Sequence, residues 1–216
     1  MAERKVFDWL AELFKAEGTA ANFTLLGDGN MYWATRLSEM GVRTIHARHE
    51  HCAVSMAMSY ARATGDVGVA SLTCGPGLTH AVTALATAAQ AGIGIVVFAG
   101  ESPLDASWYV QRIDQGPVVA AAGAHYVQVH SLKRLSEQVR GAFLLARTRS
   151  VPVVVGVPMD LQQLDAPEEA PYLPSRDFIP ASRPAVPDAA SLAEAADRIA
   201  QAERVVVIGG RGAVLP

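Results

Sequence analysis

The chain has 216 residues, half of them hydrophobic and 18% charged, a balance that excludes a disordered segment and leaves room for one full domain and part of a second. A net charge of −3 argues against nucleic acid or an anionic membrane surface as partner. The longest apolar stretch, Ala91 to Gly100, is about half the roughly 20 residues a membrane span needs, and the first ten residues carry Glu3, Arg4, Lys5 and Asp8 rather than a signal-peptide core. The two cysteines, Cys52 and Cys74, match no zinc or redox spacing and read as buried free thiols of a cytoplasmic protein.

In chain order, helical patterns alternate with short β-branched runs. Lys5–Ala16 reads as a helix, Phe23–Leu26 as a strand, Met31–Met40 as a helix and Arg43–His46 as a strand. Helix His51–Ala63, strand Val67–Thr73, helix Thr79–Gln90 and strand Ile93–Ala99 follow, then strand Tyr126–Val129, helix Leu132–Arg147 and strand Val151–Val157. Several of these strands are apolar throughout, as strands covered on both faces are. The alternation predicts an α/β fold: a parallel, roughly six-stranded sheet with helices on both faces.

The texture changes after Asp160. Six of the twelve prolines fall between Pro167 and Pro187, which predicts an extended linker over residues 166–188 after a first domain of residues 1–165. A helix is expected next, with Ser191 and Glu194 as its capping box and Leu192, Ala195, Ala196 and Ile199 as its apolar stripe. A strand, Arg204–Ile208, and the cluster Gly209-Gly210-Arg211-Gly212 follow. One helix and one strand bury no core, so residues 189–216 read as the truncated start of a second α/β domain.

Two features carry candidate chemistry. Glu50 follows the strand Arg43–His46 and opens a helix whose next residues are small or apolar. That places a partly desolvated carboxyl group at the carboxyl end of a parallel strand, where open α/β sheets bind ligands. The plainer reading is an exposed carboxylate favoured by the helix N-terminus. The second feature, Thr73-Cys74-Gly75-Pro76-Gly77, is a sharp strand-to-helix turn that permits close backbone approach.

Taken together, His49-Glu50-His51, Ala53, Ala57, Tyr60-Ala61-Arg62-Ala63-Thr64-Gly65, Gly68-Val69 and Thr73-Cys74-Gly75-Pro76-Gly77 resemble one family. This is the pyrimidine-binding domain of thiamine-diphosphate-dependent enzymes, in the group of acetolactate synthase, pyruvate decarboxylase and benzoylformate decarboxylase. Asp114-Gln115 resembles the segment after the fourth strand that faces the cofactor. Val151-Pro152-Val153 through Val157-Pro158-Met159-Asp160 resembles the stretch closing the domain, and the Pro-rich segment with Arg204–Gly212 the entry to the family's central domain. The resemblance implies that Glu50 hydrogen-bonds N1′ of the aminopyrimidine and so promotes loss of the proton at C2. It also implies cofactor contacts at Thr73, Gly75, Pro76, Gly77, His80 and Gln115. One departure is His80, where the family often has Asn.

The resemblance further implies thiamine diphosphate as cofactor, with Mg2+ and the diphosphate held by a domain absent from this chain. FAD in the central domain is compatible with it and carried by none of these residues. The implied partners are a 2-oxo acid substrate and a second subunit that completes the site across small-residue helix faces (Ala53, Ala57, Ala61, Ala81, Ala84, Ala88, Ala89). No nucleic acid and no membrane are expected.

Three motifs imitate other sites. Gly27-Asp28-Gly29 copies the start of a diphosphate and magnesium motif but lacks the Asn expected about 25–30 residues on. His46, His49, Glu50 and His51 do not form H-E-x-x-H, since Ala53 holds the last place. Gly209-Gly210-Arg211-Gly212 is a bare glycine cluster, more in keeping with a strand-to-helix turn than a dinucleotide site. The alternative to an enzyme is a non-catalytic nucleotide-binding or assembly subunit with the same fold. Retention of Glu50 argues against it.

Overall fold

The computed structural model of the chain describes residues 4–168, 171–180, 186–210 and 213, in two compact units, Met1–Ile179 and Pro180–Pro216. In the first, α1 (Val6–Ala16) precedes β1 (Ala21–Thr24), α2 (Met31–Glu39) leads to β2 (Arg43–His46), and α3 (Glu50–Thr64) leads to β3 (Gly68–Leu72). The pair α4 (Pro76–His80) and α5 (Val82–Ala91) leads to β4 (Ile95–Glu101). Next, α6 (Gln115–Ala121) leads to β5 (His125–Gln128), and α7 (Leu135–Arg149) leads to β6 (Pro152–Pro158) and the short α8 (Met159–Gln162).

The six strands form one sheet in the order β2-β1-β3-β4-β6-β5, every pair parallel. The expected α/β architecture is therefore present. Its central strands are buried on both faces because successive side chains alternate between two cores. Val96 and Phe98 point to one core, with Trp9, Phe14, Trp33 and Phe143 from α1, α2 and α7. Ile95, Val97 and Ala99 point to the other, with Ala53, Ala57, Ala61, Ala84 and Ala88 from α3 and α5. The aromatics are concentrated in the first: Trp33 stacks on Phe98 at 4.5 Å, and Phe14 meets Trp33 edge-on at 4.9 Å.

That asymmetry corrects one expectation. Ala53, Ala57, Ala61, Ala81, Ala84 and Ala88 are buried in the second core. Their small size serves close packing of α3, α4 and α5 on the chain's own sheet.

Several boundaries also differ. The expected single helix Thr79–Gln90 is two pieces starting earlier, because Pro76 sits at the first helical position with φ already suited to it. The helix Gln115–Ala121 is an addition; it is short, and Gly116-Pro117 masks its pattern. Cys52 is exposed, not buried, since it lies on the outer face of α3; Cys74 is buried as expected.

The first unit also runs past residue 165. The carboxylate of Glu17, fully buried at the end of α1, accepts from Tyr172 Oη (2.6 Å), Ser175 N (2.8 Å) and Ser175 Oγ (2.6 Å). The start of the Pro-rich segment is thereby tied to the domain. In the second unit, α9 (Ala189–Gln201) is capped by Asp188, whose carboxylate accepts from Ser191 N at 2.9 Å and Ser191 Oγ at 2.6 Å. The capping box expected at Ser191 and Glu194 is thus replaced by a stronger acceptor three residues earlier, and Glu194 pairs with Arg198 instead. The strand expected at Arg204–Ile208 is absent, since none of the described residues of this unit pairs with it. Arg211 and Gly212 of the glycine cluster lie outside the described residues.

Candidate active site

Because all six strands are parallel, their carboxyl ends share one edge of the sheet. The chain leaves β1 for β2 on one side and returns to β3 on the other, so the loops after β1 and β3 flank a topological switch point. Ligands of open α/β sheets bind at such a point. The loops touch: Gly29 N donates to Thr73 Oγ1 at 3.2 Å. The Cα atoms of Gly29 and Gly100 lie so close that side chains there would collide.

Glu50 is the first residue of α3. Its N-cap is His49, whose Nδ1 accepts from His51 N at 3.1 Å. The helix N-terminus favours the Glu50 carboxylate, but it is only 8% exposed, which separates it from a solvated dipole-capping residue. Oε2 lies 3.1 Å from His80 Nδ1. Oε1 lies beside Gly77: a Cβ there would sit 3.5 Å from it. A side chain at Gly77 would also strike the Thr73 methyl group, so glycine is what lets the turn pack against Thr73 and Glu50 here.

The turn between β3 and α4 is held from several sides. Gly75 has φ +58°, a backbone form that L residues rarely adopt, and a Cβ there would strike the Gln111 carbonyl. Its N–H donates to Gln115 Oε1 at 2.9 Å. Gln115 Nε2 in turn donates to Gly100 O at 3.1 Å and to Tyr126 Oη at 2.9 Å. Cys74 Sγ donates to Gln111 Oε1 at 3.3 Å. Burial raises the Cys74 thiol above its ordinary pKa, so it stays a neutral packing group.

Behind the turn lies a network that sequence inspection does not find. Tyr126 Oη donates to Glu101 Oε1, and His130 Nε2 lies 2.8 Å from Glu101 Oε2. Burial, then the Glu101 carboxylate, pushes the Tyr126 phenol far up, which keeps it a donor. These residues come from the ends of β4 and β5 and the loop beyond, far apart in sequence.

Thus Glu50, Gly77 and His80 meet directly, Thr73 and Gly75 hold the neighbouring turn, and Pro76 starts α4. Gln115 is buried, with both amide groups bonded to protein. His46 ends β2 apart from this group; the His49 ring lies tilted beside that of His80, centroids 5.0 Å apart. His49, Glu50 and His80 offer ligand atoms within 4.8 Å of one another. Two observations weigh against a cation: the positive end of α3 points there, and His49 Nδ1 already accepts a backbone hydrogen bond. Among the described residues, Asp28 belongs to no cluster of metal-ligating side chains. Its neighbour Asn30 is buried and bonded to Gly27 N, Thr24 Oγ1, Leu25 O and Ser71 Oγ. Among the described residues no helix is long and apolar enough to cross a membrane.

Residues 4–127, more than half of the chain, match the family described as "Thiamine pyrophosphate enzyme, N-terminal TPP binding domain". A probable acetolactate synthase large subunit of Methanocaldococcus jannaschii is 30% identical over 95% of this chain and 36% of its own length. The acetolactate synthase isozyme 2 large subunit of Escherichia coli is 34% identical over 71% of this chain and 29% of its own. The 2-hydroxyacyl-CoA lyase 2 of Bos taurus is 31% identical over 81% and 27%. The chain thus spans about a third of the length of the curated relatives it matches. With a parallel sheet, a buried carboxylate at its carboxyl edge and this match, the chain belongs to the thiamine pyrophosphate enzymes and carries their N-terminal TPP-binding domain.

Proposed function

We propose that this chain supplies the pyrimidine-binding half of a thiamine-diphosphate site, in an enzyme that decarboxylates or carboligates a 2-oxo acid. The observation that carries the reading is Glu50. It is a buried carboxylate at the sheet's carboxyl edge with one oxygen held by His80 and the other beside Gly77. The donor set fits the aminopyrimidine. Glu50 would meet ring nitrogen N1′ and hold one proton there, in a site dry enough for that proton to be shared. Thr73, Gly75, Pro76 and Gly77 would border the ring, kept in place through Gln115. When bound, thiamine diphosphate supplies the carbanion centre and electron sink that 2-oxo acid chemistry needs.

The diphosphate and its Mg2+ need oxygen ligands, and Asn30, two residues after Asp28, has its amide taken up by its own turn. We assign these to another domain. The relatives' name "large subunit" supports a second subunit as partner.

The test uses the full-length enzyme. Glu50→Gln keeps the size of the side chain but removes the ionisable proton. It should slow hydrogen–deuterium exchange at C2 of the bound cofactor by about 10²–10⁴-fold, the usual worth of a positioned acid–base group. Cofactor affinity should fall much less. Near-normal exchange would remove Glu50 from the chemistry and return it to capping α3.

A further inference from the structure

We propose that His80 is a positioning residue that acts through Glu50, pinning one carboxylate oxygen so that the other is the one presented beside Gly77. This rests on the reading of Glu50 as the carboxylate that meets N1′. A glutamate carboxylate turns about a broad, roughly two-fold torsion, and its two oxygens are equivalent until one is bonded. Here Oε2 is bonded to His80 Nδ1 at 3.1 Å, and Oε1 lies on the side of Gly77.

The imidazole is itself held. His80 is the last residue of α4, one residue before α5 begins. Its ring lies tilted beside that of His49, centroids 5.0 Å apart and planes 31° apart. His49 is fixed in turn, because its Nδ1 caps α3 by accepting from His51 N. A chain of support therefore runs from the cap of α3 through two rings to one oxygen of Glu50.

The same geometry specifies two protons. A neutral His80 facing a carboxylate through Nδ1 carries its hydrogen on Nδ1. A neutral His49 accepting a backbone N–H at Nδ1 carries its hydrogen on Nε2. Two adjacent rings are thus in opposite tautomers, and neither assignment requires a bound cofactor. An asparagine at position 80 would also offer an N–H to Glu50, which makes His80→Asn the conservative variant.

The experiment has two arms. In the first, long-range proton–nitrogen spectra of the 15N-labelled 216-residue chain are recorded well above the ordinary imidazole pKa of about 6.5. His80 should be the Nδ1–H tautomer and His49 the Nε2–H tautomer, and Glu50→Ala should turn His80 to Nε2–H. An Nε2–H His80 in the unsubstituted chain, or no change in Glu50→Ala, overturns the proposal. The unsubstituted chain decides the tautomer even if a variant fails to fold. In the second arm, with the full-length holoenzyme, His80→Ala should slow C2 exchange about tenfold, while His80→Asn stays within about threefold of the parent. Equal loss in both variants overturns a role through Glu50. Normal exchange in Glu50→Gln would sink the cofactor reading by itself, whatever the tautomers; the tautomers sink the His80 role by themselves.

Discussion

Cys52 and Cys74 have the same chemistry and opposite surroundings. Cys52 lies on the exposed face of α3, whereas Cys74 is 1% exposed and its thiol is pushed up by burial. The thiolate is the reactive form, so a disulfide reagent near neutral pH should label one cysteine of the native chain rapidly and the second only after denaturation. Two fast-reacting thiols would contradict the packing of the turn after β3. Glu50 is legible in the sequence, because a carboxylate between a strand and an apolar helix is unusual and its motif is specific. The contact from His80 is not. Thirty residues separate the two, and the only hint is a histidine where the family often has an amide.

At the scale of elements, the turn between β3 and α4 depends on a side chain from α6. Gln115 satisfies the Gly75 N–H and the Gly100 carbonyl inside the protein. Gln115→Ala should leave both unpaired and cost about 1–3 kcal/mol, read from urea unfolding of the 216-residue chain. A loss under about 0.5 kcal/mol would mean water replaces the amide. The six strands of the first unit are readable to within about two residues because β-branched runs fill them, whereas the similar run Arg204–Ile208 forms no strand. The break at Ala81 and the helix Gln115–Ala121 are not readable. A continuous alanine-rich run does not reveal where Pro76 starts a turn, and a seven-residue helix containing Gly116 and Pro117 has no helical signature.

Across the whole first unit, two half-buried tyrosines hold their protons against neighbouring carboxylates. Tyr126 donates to Glu101 and Tyr172 donates to Glu17, and burial followed by the carboxylate raises both phenols. A pKa raised on folding means the unfolded chain ionises first. The stabilisation is therefore complete below the ordinary tyrosine pKa of about 10 and is lost as pH rises above it. The melting temperature should fall steeply above about pH 10, with Tyr126 contributing up to about 1.4 kcal/mol per pH unit and the more exposed Tyr172 less. Phenylalanine at both positions should flatten that decline. An unchanged slope would place the alkaline transition elsewhere. The Glu17 contacts also explain why the Pro-rich segment begins as part of the domain: without Tyr172 and Ser175 this buried carboxylate would keep only the Arg147 guanidinium, at 3.6 Å.

The layered α/β class, the parallel sheet and the importance of Glu50 and the Gly-Pro-Gly turn are written in local pattern. Apolar strands, helical periodicity and a specific motif are properties of neighbours in sequence. The strand order β2-β1-β3-β4-β6-β5, the division into an aromatic and an alanine-rich core, and the Glu50–His80 and Gln115–Tyr126–Glu101 contacts arise only on folding. Each joins residues from different elements. Hydrogen-bonding partners at the edge of a parallel sheet are chosen by which strands lie side by side, a consequence of packing the whole chain that no short window of residues encodes.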